Sequence, residues 1–116
     1  MLEIKQAHIA KDAHLSGAVD LEGGALRFIS IPSTWIAAPL TFQASFDGIN
    51  HQNLYDATNA EYSVAVTADT MQFMVPGDLE GLRFLKFHSG PSALGVAQTD
   101  AAGVTLTLGV LPVAIQ

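Results

Sequence analysis

The chain has 116 residues, which is the size of one ordinary domain and long enough to bury a core without staples. Hydrophobic residues make up 49% and charged residues 14%, and there is no cysteine, so disorder, a disulfide framework and thiolate metal sites are all excluded. The net charge is −6 and the five basic residues (Lys5, Lys11, Arg27, Arg83, Lys86) are scattered, so neither nucleic acid nor an anionic membrane is an expected partner.

In chain order, residues 2–9 (LEIKQAHI) read as a first strand with Leu2 and Ile4 inward. Residues 10–24 are polar, end in Gly23-Gly24, and read as loop or arm. Residues 25–31 (ALRFISI) return to a strand pattern, stopped by Pro32. The only tryptophan, Trp35, lies in a stretch bounded by Pro32 and Pro39. In 40–46, Leu40, Phe42, Ala44 and Phe46 alternate with Thr41, Gln43 and Ser45, because successive strand side chains point to opposite faces. Asp47-Gly48 supplies a tight hairpin turn, and a second strand runs over about 49–55.

Residues 61–67 alternate again, with Tyr62, Val64 and Val66 on one face. A short strand over 71–75 (MQFMV) precedes a single helical turn or tight loop at 76–81 (PGDLEG). Residues 82–88 (LRFLKFH) are apolar on both faces, as a central strand is. Residues 89–103 form a long glycine-bearing loop, and Val104, Leu106, Leu108 and Val110 alternate with Thr105, Thr107 and Gly109 in a last strand. No segment keeps helical periodicity over three turns. The expectation is an all-β fold, one antiparallel β-sandwich or jelly roll of about eight short strands over 1–116. Phe28, Phe42, Phe46, Phe73, Phe84 and Phe87 read as core.

Candidate chemistry is sparse. His8, His14, His51 and His88 show no metal-site spacing; His8 and His14 near Asp12 make at most a weak cluster and read more simply as solvent-exposed arm histidines. Asp47, Asn50 and Asp56 suit either a calcium loop or plain turn chemistry. Ser89-Gly90 lacks the frame of a nucleophile elbow, and no glycine-rich phosphate loop is present, so catalysis and cofactors are not expected. Trp35, Tyr55 and Tyr62 are candidates for a sugar-stacking platform; single aromatics in a sandwich also serve as packing. The low charge fits a surface partly covered by a partner, or a surface rich in Ala and Thr. No apolar run reaches the ~20 residues that span a bilayer. The N-terminus lacks a signal-peptide core, so synthesis in the host cytoplasm is expected.

Three stretches carry a resemblance: IPSTWIAAPLTFQASFDGINHQNLYD (31–56), GLRFLKFHSG (81–90) and VAQTDAAGVTLTL (96–108). In this order they resemble a family of small virion proteins from the structural gene clusters of tailed bacteriophages and gene transfer agents. The family's pattern is a P..W..A.LTFQ.S.DG stretch closing on NLYD, then G.R.LK.RSG, then a Thr/Leu strand. His88 stands where that pattern carries a basic residue. The hairpin and the Arg-aromatic-Leu strand are also similar to discoidin-like jelly rolls, with His51-Gln52 replacing the aromatic after the turn.

What the resemblance implies is a non-enzymatic virion component. A capsid decoration or cement protein would bind the major capsid protein and copies of itself, as a trimer, on the phage particle surface. The alternative is a tail or head-fibre accessory protein that contacts host carbohydrate through Trp35, Asn50, Asn53 and Tyr55. For the first reading the docking elements are an N-terminal arm (1–24) and the apolar tail (109–116), with Leu2, Ile4, Leu111, Val113 and Ile115. Both ends equally suit a first and last strand of the chain's own sheet.

Overall fold

A computed structural model describes residues 2–75 and 77–112. Eight strands run in chain order: β1 (Glu3–Ile9), β2 (Val19–Asp20), β3 (Ala25–Ile31), β4 (Leu40–Ser45), β5 (Gln52–Asn53), β6 (Thr70–Phe73), β7 (Phe84–Ser89) and β8 (Val104–Leu111). They form two four-stranded antiparallel sheets, β1-β8-β3-β6 and β2-β7-β4-β5. The pairs β1–β8, β2–β7, β3–β6 and β4–β5 are those of one long hairpin rolled over on itself, which is the topology of a jelly roll. The all-β expectation holds. Among the described residues no helix is present, and 77–81 are turns.

The core lies between the sheets, where alternate side chains of both meet. Ala7, Ile9, Ile29, Leu106 and Leu108 come from one sheet; Leu40, Phe42, Leu85 and Phe87 come from the other. The Phe42 and Phe87 rings meet edge to face at 5.5 Å. Trp35 closes the core from the β3–β4 connection, its Nε1 donating to the Ala38 carbonyl at 3.2 Å.

Several expectations change. The N-terminal segment is not a free arm, because β1 pairs with β8 along its whole length. Its inward residues are Ala7 and Ile9, whereas Leu2 and Ile4 point outward. The strand expected at 61–67 makes only isolated bridges, Leu40 to Val64 and Tyr55 to Glu61. Its alternation survives nonetheless, since Tyr62, Val64 and Val66 pack against the core from one side. The turn after β4 is no two-residue hairpin: Ala44 pairs with Gln52, and residues 46–51 form a wider loop between β4 and β5. Of the six phenylalanines only Phe42 and Phe87 are buried; Phe46 and Phe73 are exposed.

The loop over 90–103 is anchored rather than free. Gln98, fully buried, acts as a side-chain clamp. Its Oε1 accepts from the Ile36 N–H at 2.7 Å, while Nε2 donates to the Ile36 carbonyl at 3.0 Å and to Ser89 Oγ at 2.8 Å. Its backbone pairs with Asp12 and Ala13, which ties the loop to the segment before β2.

Candidate functional site

The outer face of the β1-β8-β3-β6 sheet gathers several exposed apolar side chains. The registers line up Ile4, Gly109, Phe28 and Phe73 in one row across all four strands. The next row is Gln6, Thr107, Ser30 and Met71. Extending the β1–β8 register by one pair sets Leu2 opposite Leu111, which itself pairs with Ala25. Ile4 is 61% exposed, Phe73 72% and Met71 55%. Apolar side chains this exposed, contiguous on one sheet, mark a surface that another molecule covers more often than scattered ones do.

A bulge builds this face. The β3–β8 register shifts between Leu26 and Phe28, with Arg27 as the extra residue. Without the bulge, Leu26, Phe28 and Ser30 would share the inner face. With it, Leu26 stays inside, Phe28 turns outward, and Ile29 and Ile31 become the buried pair. Phe28 then lies across Gly109, where any Cβ would fall within its ring. Phe73 meets it edge to face at 6.4 Å. Glycine at 109 is therefore a packing requirement of the outer face, where a continuous strand pattern predicts only a weakened position.

Of the residues expected at an interface, the structure brings Leu2, Ile4 and Leu111 together here. Val113 and Ile115 lie outside the described residues. Sequence periodicity missed Phe28, Met71 and Phe73 as surface residues. Phe73 and Met71 alternate with buried Met74 and half-buried Gln72, so the alternation was legible but its inner side was not.

The residues expected to contact sugar do not meet as a group. Trp35 is 5% exposed and belongs to the core, so it offers no stacking face. Tyr55 lines a groove with Asp56, Tyr62 and Asp78. Asn50 and Asn53 share a separate cleft at the β4–β5 loop. Beside Tyr55's groove, the Tyr62 hydroxyl donates to Asp78 at 3.0 Å, and partial burial followed by that carboxylate pushes its pKa up to about 12.

The histidines sort differently from their spacing. His8 bonds Thr105 Oγ1 across β1–β8 at 2.9 Å. His14 turns instead to buried His88, Nδ1 to Nε2 at 3.0 Å, with its ring against Gly95. His88 Nδ1 lies 2.8 Å from the Gly90 carbonyl and 3.0 Å from Thr41 Oγ1; the carbonyl can only accept, so in the neutral ring Nδ1 carries the proton and Nε2 accepts from His14. This pair links the segment before β2 to the end of β7. Among the described residues no three His, Cys, Asp or Glu side chains gather to hold a metal.

The turn carboxylates are occupied by their own loops. Asp47 takes the N–H groups of Ile49 and Asn50 at 2.8 and 2.9 Å, and the Ser45 hydroxyl at 2.9 Å. Those donors hold its carboxyl far below the ordinary carboxylate range. Asp56 serves Thr58 and Ala60 in the same way in a different turn, so Asp47, Asn50 and Asp56 form no common site. Comparison with protein families, with curated proteins and with solved structures found no match to this chain.

Proposed function

We propose that this protein is a non-enzymatic virion structural subunit, a decoration or cement protein that docks on the shell of a tailed phage or related particle. The observation that carries the reading is the apolar outer face of the β1-β8-β3-β6 sheet, with Ile4, Phe28, Met71 and Phe73 at its centre and Leu2 and Leu111 at its margin. The sequence resemblance over 31–108 supplies the partner, the major capsid protein. Docking removes exposed apolar area from water, the driving term for its binding, and so adds to the cohesion of the shell. Copies arranged as a trimer at local three-fold axes are the assembly this reading expects.

Co-sedimentation with assembled shells of the major capsid protein tests it. The native chain should bind in amounts stoichiometric with the shell lattice. Ile4→Lys and Phe73→Lys, both at exposed positions, should keep the fold and weaken binding by about tenfold or more, as charges at the centre of an apolar interface do. A chain that fails to sediment with the shells, or charged variants that bind like the native protein, would overturn the reading.

A further inference from the structure

We infer that the cleft at the β4–β5 loop is a binding site for one neutral saccharide residue. The cleft measures about 200 Å³ and is lined by Phe46, Asn50, Gln52, Asn53, Leu54 and Arg83, among others. Clefts that bury drug-sized ligands run to ~300–1,000 Å³, so this one suits a single ring.

Its walls are stiff before any ligand arrives. Asp47 binds two backbone N–H groups and the Ser45 hydroxyl, and Asn50 Nδ2 adds a fourth bond at 3.2 Å. Ser45 Oγ in turn accepts from the Gly48 N–H at 2.9 Å. Gly48 takes a φ of +78°, and a side chain there would press on the Phe84 ring. A binding loop gains from it, because ordering costs on association fall. The ordered loop holds Phe46 95% exposed, an aromatic face with no core to pack against.

The lining chemistry selects the ligand class. Asn50, Gln52 and Asn53 bring three primary amides, each with both donors and acceptors. Among the described residues the Gln52 and Asn53 amides make no bond within the protein. Groups that donate and accept side by side match hydroxyls, which do the same. Ala44, Leu54 and Leu82 supply an apolar floor, and Phe46 a face for the C–H side of a ring. No carboxylate lines the cleft to hold a cation. Arg83, its one cation, is already bonded to Asp20 through Nε at 2.7 Å and through a second nitrogen at 3.1 Å, so an anion meets a neutralised and preoriented group.

This site uses the hairpin of the second sheet and is independent of the docking face, so either reading can fail alone. The test is an amide-resolved NMR titration of the full chain with methyl glycosides of glucose, galactose, mannose, rhamnose and N-acetylglucosamine, and with galacturonic acid. Saturable shifts confined to residues 44–54 and 82–84 are expected for at least one neutral sugar. Phe46→Ala and Asn53→Ala should each weaken that binding about tenfold and leave the remaining spectrum unchanged. Absence of shifts at these amides across the panel, binding that maps elsewhere, or variants that bind like the native chain would overturn the proposal. Tighter binding of the acidic sugar, abolished by Arg83→Ala, would overturn the neutral assignment.

Discussion

At the scale of single residues, polar side chains replace missing backbone pairing. Gln98 does for Ile36 what a neighbouring strand would do, one acceptor and one donor set against its N–H and C=O. Gln98→Ala leaves both groups and Ser89 Oγ without that partner. The expected loss is about 1–3 kcal/mol in chemical denaturation, the range for a buried donor or acceptor left without its partner. Asp47 acts on the other long loop, and its effect depends on pH. Its folded carboxyl titrates below the ordinary value of 3.8 because Asn50, Ile49 and Ser45 donate to the charged form. A depressed carboxyl stabilises the fold above its unfolded value and loses that contribution as pH falls through the folded one. Asp47→Ala should therefore lower the denaturation midpoint at neutral pH, and the gap from the native chain should narrow as pH drops below about 4. A gap that stays constant into acid would show that the loop does not depend on the charged form. Asp20 and Asp56 are lowered too, so the variant keeps some acid sensitivity of its own.

At the scale of elements, β1 decides between an arm and a strand. Seven residues pair with β8, and Ala7 and Ile9 cap the core next to Leu106 and Leu108. Removing residues 1–9 bares the whole β8 edge and that part of the core. The loss is comparable to the ~5–15 kcal/mol that holds a typical domain together. The truncated chain is expected to lose cooperative unfolding by circular dichroism and to give little soluble protein. A soluble, cooperatively folding 10–116 chain would restore the arm. The β3 bulge is the second decisive element. By shifting the phase at Arg27 it buries Ile29 and Ile31 and delivers Phe28 to the docking face.

At the scale of the whole molecule, the jelly roll sets two surfaces apart. One sheet offers an apolar outer face; the hairpin tip of the other offers a cleft with an apolar floor and amide side chains around it. The apolar outer face carries no Asp, Glu, Lys or Arg in its central rows, which hold Ile4, Gly109, Phe28 and Phe73, then Gln6, Thr107, Ser30 and Met71. The net charge of −6 is thus carried elsewhere. Binding to shells through this face should change little when the same co-sedimentation is repeated at high salt, since screening acts on charge pairs and not on apolar burial. Steep salt dependence would move the contact to a charged surface.

Sequence alone determined the all-β class, the strand positions at β3, β4, β7 and β8, and the alternation at 61–67, because the two-residue period follows from covalent geometry within a few residues. It marked a chain reversal at Asp47-Gly48, but the tight two-residue turn it suggested is a wider loop in the structure. Tertiary structure decided which side of each alternation is inside. Leu2 and Ile4 have the pattern of a core stripe, yet the opposing sheet lies against Ala7 and Ile9 instead. Trp35 and Phe46 are equally apolar in sequence, and only the packing of the second sheet buries one and leaves the other in water. The pairing of His14 with His88, 74 positions apart, has no local signature at all. Strand order, the bulge phase and the two candidate surfaces are properties of contacts between distant segments, and no local period encodes them.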